Sequence, residues 1–261
     1  EIVRMFGVQE LYRRIYTYVH PPKPLSIADA AQAGMSVARD SLGVASILSR
    51  DIGHEPLNES EHEALAKEWE VLAASIDLNA PTDFPREYDV ETQTARTLYI
   101  LTRWLRPKVI LETGIARGLS SFALLAAAEA NEEGTVYSCD VDPRSGHLVT
   151  ETLKHRWQRE IINAKDAKNS FHKFLKEVGE VDFFFHDSNH REAWMRFEFA
   201  EVLKQMSPGG ILGSDDIDLN RSFLDVVPHA VAVALLLDSR KASAFAVVDS
   251  HDVRMRDEIP H

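Results

Sequence analysis

Glu112, Gly114, Gly118, Ser120 and Ser121 stand together in the run Glu-Thr-Gly-Ile-Ala-Arg-Gly-Leu-Ser-Ser, which closes an apolar, β-branched stretch. The two glycines allow a tight strand-to-helix turn and a close approach of backbone to a ligand. The helix that follows offers free N–H groups at its start. Neither the dinucleotide pattern G-x-G-x-x-G nor the phosphate loop G-x-x-x-x-G-K-[ST] is present. A carboxylate at Glu112 would repel a pyrophosphate and favour an ammonium. Asp140 lies 22 positions after Gly118, in Cys-Asp-Val-Asp-Pro. An acid there suits a ribose diol, because a carboxylate accepts both hydroxyl protons. Two acids around an adenosine-like ligand, with no phosphate cradle, fit S-adenosylmethionine. That molecule has a ribose, an ammonium and a sulfonium, and no phosphate. Two further polar runs end apolar stretches: His186-Asp187-Ser188-Asn189-His190 and Ser214-Asp215-Asp216.

The elements that must position these groups change character near residue 107. Before it the patterns are helical. Leu65, Trp69, Leu72 and Ile76 recur at helical spacing within 58–78, with Asn58 or Ser60 as a cap. Leu98, Leu101, Trp104 and Leu105 do so within 89–106, which ends before Pro107. Residues 78–88 carry two prolines and read as a connector. From Lys108 strands and helices alternate. Strands are expected at 108–115, 134–142, 159–167, 181–189 and 210–217, and helices at 120–131, 145–157, 169–179 and 191–206. Continuous apolar strands separated by helices imply a parallel sheet covered on both faces. Residues 244–250 and 253–259 read as a closing antiparallel hairpin.

The composition narrows the class. The 261 residues hold 29 Lys and Arg against 41 Asp and Glu, a net charge of −12. Such a balance argues against a nucleic-acid partner, which needs a basic surface. One cysteine, Cys139, excludes a disulfide framework and a cysteine zinc site. No apolar stretch reaches the ~18 residues that span a bilayer. The first residues mix charges with apolar side chains and contain no signal-peptide h-region, so a cytoplasmic location without a membrane partner is expected.

Taken together, Glu112-Thr-Gly-x-x-x-Gly-x-Ser-Ser121, Val136-Tyr-Ser-Cys-Asp-Val-Asp-Pro143, Asp182-Phe-Phe-Phe-His-Asp-Ser-Asn-His190 and Ser207-Pro-Gly-Gly-Ile-Leu-Gly-Ser-Asp-Asp216 resemble a class I S-adenosylmethionine-dependent methyltransferase. Within that class the chain resembles the catechol-, macrocin- and cephalosporin-type O-methyltransferases. The resemblance covers about residues 89–260. It implies a Rossmann-like, mostly parallel sheet of seven strands with an antiparallel C-terminal hairpin, over 89–261. Residues 1–88 would form an N-terminal helical cap. Glu112, Gly114, Gly118 and Ser120 or Ser121 would surround the methionine part, and Asp140 would hold the ribose. Asp166 and Ala167 would meet the adenine. For Asp140, Asp142 and Asp166, plain turn or surface roles stay open.

In this family an acid after the fourth strand and a pair after the fifth are neighbours, which brings Asp187, Asp215 and Asp216 to one rim. Like charges so close need protonation or a counter-ion. Mg²⁺, bound by oxygens at ~2.1 Å, meets that need. Lys168 and Arg191 could instead neutralise the acids without a metal. A metal-bound hydroxyl has a lowered pKa, and a base can take its proton. His190 is the candidate base, with Asp187 beside it at the catalytic centre. Macrocin-type relatives often carry an acid where Asn189 stands. His186 and His229 are the other histidines to place. The acceptor is expected to be a hydroxylated small molecule, such as a sugar or phenol of a natural product or antibiotic. Trp194, Phe223, Tyr88 or Phe84 would form its wall, and 216–230 a substrate loop. A metal-independent or N-methyltransferase, or a non-catalytic partner subunit, are the competing readings. Self-association through the N-terminal helices is a further expectation.

Overall fold

The computed structural model describes residues 24–49, 54–78, 83–238 and 240–249. Three helices lead in: α1 (Ile27–Gln32), α2 (Ser41–Leu48) and α3 (Glu59–Ala74), with strand β1 (Ser36–Ala38) between the first two. Asn58 caps α3 reciprocally with Glu61, a device worth about 1 kcal/mol. Helix α4 (Thr92–Leu105) follows, and Asp238 from the far side of the chain caps it, accepting from Gln93 N–H at 2.7 Å and Thr94 N–H at 3.2 Å. Then come β2 (Val109–Thr113), α5 (Leu119–Ala130), β3 (Thr135–Asp140), β4 (Trp157–Ile161), α6 (Ala167–Val178), β5 (Val181–His186), α7 (Glu192–Leu203), β6 (Met206–Ser214), β7 (Ala230–Leu237) and β8 (Ala242–Val248).

The sheet order is β1-β7-β8-β6-β5-β2-β3-β4. Strands β4, β3, β2, β5 and β6 are mutually parallel, and β8 runs antiparallel to both β6 and β7. From β2 the chain winds outward to β3 and β4, then crosses back to β5 on β2's other side. Strand order therefore reverses between β2 and β5, where open α/β sheets bind ligands beyond the strand ends. Phe183 and Phe185 face one layer with Leu98, Ile110 and Leu124. Phe184 faces the other with Leu111, Phe171 and Phe199. Each fully buried phenylalanine contributes roughly 1.5–3 kcal/mol. A sheet buried on both faces explains the unbroken Phe183-Phe184-Phe185 run.

Two expectations change. Residues 145–157 are not one helix. Gly146 N–H donates to Ala116 O and Leu148 N–H to Arg117 O, so the segment spends its amides on the glycine loop. Only Glu151–Arg156 coils, as a 3₁₀ turn, and β4 begins at Trp157. The antiparallel hairpin among the described residues is β7–β8, and the expected pairing of 244–250 with 253–259 lies outside the described residues. Among the described residues the sheet has eight strands, one more than the seven expected. The eighth is β1, from the segment assigned to the cap, which pairs parallel with β7. Among the described residues, no helix is long and apolar enough to cross a membrane.

Candidate active site and acid rim

The glycine loop sits at the end of β2, locked by its neighbours. Gly114 has φ +84°, and a Cβ there would lie 2.1 Å from Asp187 O. Only glycine fits, because the loop's backbone presses directly on the turn after β5. Asp140 Oδ2 accepts from Ile115 N–H at 2.8 Å and Ala116 N–H at 3.0 Å, and its Oδ1 accepts from Asp142 N–H at 2.9 Å. The expected ribose acid thus also shapes the loop, which puts Ala116 at φ +44°. A carboxylate has about four lone-pair sites, so acceptor capacity remains for a hydroxyl. Asp142 is spent on Arg144, which holds its carboxyl down at about 2. Asp166 is exposed and accepts from Asn169 Nδ2 at 2.9 Å, just before Ala167 opens α6.

Glu112 is wholly buried below this loop. Ser121 Oγ donates to its Oε2 at 2.5 Å and Ser138 Oγ at 2.7 Å. Burial raises its carboxyl against the serines Ser120, Ser121 and Ser138. Its Oε1 is buried with no hydrogen-bond partner among the described residues. A lone buried carboxylate oxygen is costly, and a donor such as an ammonium would satisfy it. The residues therefore fit an aminoacyl nucleoside.

The register pairs His186 with Ser214, and Asp215 N–H donates to His186 O at 2.9 Å. The acids after β5 and β6 do meet, as one rim. One donor atom from each of Asp187, His190 and Asp216 lies within 4.8 Å of the others. His190 Nε2 is 3.7 Å from Asp187 Oδ1, and His190 Nδ1 is 3.6 Å from Asp216 Oδ2. His190 Nε2 is buried without a hydrogen-bond partner among the described residues. Burial pushes its imidazole well below the usual range, so the ring is neutral and has a lone pair to give. The two carboxylates offer oxygen donors of the kind a hard divalent ion takes, and the neutral imidazole adds a borderline nitrogen donor.

Asp215 stands apart from this set. It is fully buried, with Ser243 Oγ donating to Oδ1 at 2.7 Å and Lys241 Nζ to Oδ2 at 3.1 Å. Lys241 also lies 3.1 Å from Asp216 Oδ2. Burial alone would lower that ammonium, but Asp215, Asp187 and Asp216 outweigh it and hold it charged. Burial, reinforced by Asp215, raises Asp187 well above the carboxylate range. Burial pushes Asp215 up to about 6, despite Lys241.

Sequence reasoning missed Lys241 and Glu198. Lys241 comes from the β7–β8 loop, and nothing in its local sequence marks it. Lys168, one neutraliser considered, instead sits 4.7 Å over the Phe197 ring. Glu198 had a signal: a charge on the apolar face of α7, three residues after Met195 and beside Phe199. It is buried, and accepts from Thr113 Oγ1 at 2.9 Å, Ser188 Oγ at 3.0 Å and Trp194 Nε1 at 2.6 Å. His186 Nδ1 lies 2.6 Å from its Oε2. His186 is thus beneath the rim, facing α7. His229 precedes β7, whose first residue pairs with Val248 at the opposite end of the sheet from Asp215. Phe223 packs on Phe199 in the core and lines no wall. Trp194 is partly buried against Phe197, Tyr88 is exposed, and Phe84 lies under the Arg144 guanidinium.

Residues 111–217 match a family model described as a methyltransferase domain. A search of curated proteins finds no match. Among solved structures, a protein assigned as an O-methyltransferase from Klebsiella pneumoniae aligns with a TM-score of 0.54 at 17% identity, over 69% of this chain and 90% of its own. The O-methyltransferase TomG from Streptomyces achromogenes, of tomaymycin synthesis and solved with S-adenosylmethionine, aligns at 0.50 and 16% identity, over 85% of this chain and 96% of its own. These likenesses establish the fold, and the matched segment spans the glycine loop and both acid-bearing strand ends. Residues 111–217 are thus similar to a methyltransferase domain, and the chain has the Rossmann-like fold of these O-methyltransferase structures.

Proposed function

We propose that this chain is a metal-assisted O-methyltransferase acting on a hydroxyl of a small natural product. The observation that carries the reading is the apposition of Asp187, His190 and Asp216 across the β5 and β6 ends, against the glycine loop. On this reading Glu112 Oε1 takes the cofactor ammonium, and Asp140 takes the ribose with its remaining acceptor capacity. Asp187 and Asp216 present oxygen donors at the mouth of the site. A divalent ion bound there would lower the pKa of a hydroxyl. The chain's own part is positioning, because the sulfonium methyl is already activated and needs an oxygen held in line. Neutral His190 has one lone pair. It serves as third donor to the ion or receives the hydroxyl proton, not both at once. TomG's part in tomaymycin synthesis supports a natural product as the acceptor class.

One observation favours a metal-independent variant. The Lys241 ammonium already faces Asp215 and Asp216. A chelator separates the two readings. Methyl transfer to a panel of phenolic and sugar hydroxyls should stop with EDTA and return with Mg²⁺. Undiminished turnover by Asp187→Ala would overturn the metal reading.

A further inference from the structure

We infer that Lys241 is the rim's built-in competitor for the metal: its ammonium must leave Asp216 before a divalent ion can take that oxygen, while Asp215 retains it. The inference rests on the metal-assisted reading and concerns what sets the ion's affinity.

Lys241 Nζ bridges two carboxylates at equal distance, 3.1 Å from Asp215 Oδ2 and 3.1 Å from Asp216 Oδ2. The two partners are not equivalent. Asp215 is fully buried, and its other oxygen is committed to Ser243 Oγ. Asp216 keeps 13% of its side chain exposed and belongs to the donor set with Asp187 and His190. An ion at ~2.1 Å from Asp216 Oδ2 and an ammonium on the same oxygen would repel each other at short range. The ammonium yields at Asp216, because leaving Asp215 would strand a buried charge.

The charge count agrees. With the proton of Asp187 expelled by the ion, Asp187, Asp215 and Asp216 contribute three negative charges and Lys241 one positive. The remainder is two, which a divalent ion neutralises. With Lys241 confined to Asp215, that pair is neutral, and Asp187 and Asp216 are left to match the ion. The loop itself is tied down just before Lys241. Asp238 caps α4, and Arg240 pairs with Glu91 at the start of that helix. The lysine can therefore move by side-chain rotation alone, while its backbone stays at the rim.

The test measures Mn²⁺ binding to the full chain without cofactor, by the electron paramagnetic resonance signal of free Mn²⁺. Lys241→Gln should tighten Kd by about tenfold or more, because a repelling charge is gone. Lys241→Arg should stay within about threefold of the parent. If the parent binds and Lys241→Gln binds equally or more weakly, the inference falls and the metal reading survives. If neither binds at millimolar Mn²⁺, both fall. Should Lys241→Gln fold poorly, the Mn²⁺-induced rise in Tm decides: a larger rise than in the parent supports the inference, and an equal or smaller one overturns it.

Discussion

Arg117, in the middle of the glycine loop, holds its NH1 3.2 Å from the Asp89 carboxylate, and both side chains are almost fully buried. Its NH2 also donates to Leu78 O at 2.6 Å. One guanidinium thus pins the loop to the segments before α4. Burial raises the Asp89 carboxyl, and Arg117 opposes that rise. Breaking a buried pair from one side strands a charge, at a cost of about 3–5 kcal/mol. Arg117→Met should therefore lower stability by roughly 3 kcal/mol in urea titrations. Calorimetry should show weaker S-adenosylmethionine binding as well, since the loop loses its anchor. Normal cofactor affinity in a folded Arg117→Met protein would break the link.

Adjacent acids after β6 have different duties. Asp216 belongs to the candidate donor set with Asp187 and His190, whereas Asp215 accepts from Lys241. Asp216→Asn should cut metal affinity by about a hundredfold, the scale of losing one charged ligand near a divalent ion. Asp215→Asn should cost less, about tenfold, by releasing Lys241 wholly onto Asp216. Isothermal titration with Mn²⁺ ranks the two. The opposite ranking would make Asp215 the ligand.

Acidity should oppose metal binding and favour the metal-free fold. Burial and the neighbouring Asp215 raise the Asp187 carboxyl, so an ion binding there works against its protonation. His190 lies well below its usual range and has no proton to lose at pH 7. Metal affinity should therefore rise with pH, with net proton release. The metal-free protein behaves the other way. A carboxyl whose folded pKa is raised favours the fold at low pH, and that contribution is lost as pH climbs from the ordinary 3.8 through about 6 for Asp215. Titrations in two buffers of different ionisation enthalpy count the protons. A binding heat independent of buffer, with flat affinity from pH 6 to 8, would contradict this assignment.

Glu198 should matter although it meets no ligand. It gathers Thr113, Ser188, Trp194 and His186 from three neighbouring segments. Glu198→Ala leaves buried donors unpaired, and each costs about 1–3 kcal/mol. The melting temperature should fall sharply, and the turn bearing Asp187 and His190 should loosen. Glu198→Gln, which keeps the shape, should retain fold and cofactor binding but lower kcat more than it raises KM. Equal loss of both in Glu198→Gln would point to a purely structural role.

The glycine loop and the acids were legible because their spacing is local and follows apolar strands. The rest depended on partners distant in sequence. Residues 230–237 form an unbroken apolar run, which has no period to mark it as a strand. The amides of Gly146 and Leu148 bind the glycine loop, a demand that local propensity does not register. Lys241 arrives from a hairpin loop 25 residues after Asp216. Strand parity, however, did offer a clue at Asp215 and Asp216, since consecutive residues leave a strand on opposite sides.

The close approach of Gly114 to the Asp187 carbonyl joins the proposed cofactor and metal sites through backbone alone. Neither side has slack, because not even a methyl group fits between them. Whatever settles the glycine loop therefore also settles the turn that carries Asp187, the proposed metal ligand. Linkage makes such an effect reciprocal. The two ligands would then bind with heterotropic cooperativity, each raising the other's affinity by the same factor, and the enzyme would favour the doubly loaded state in which its acceptor can react.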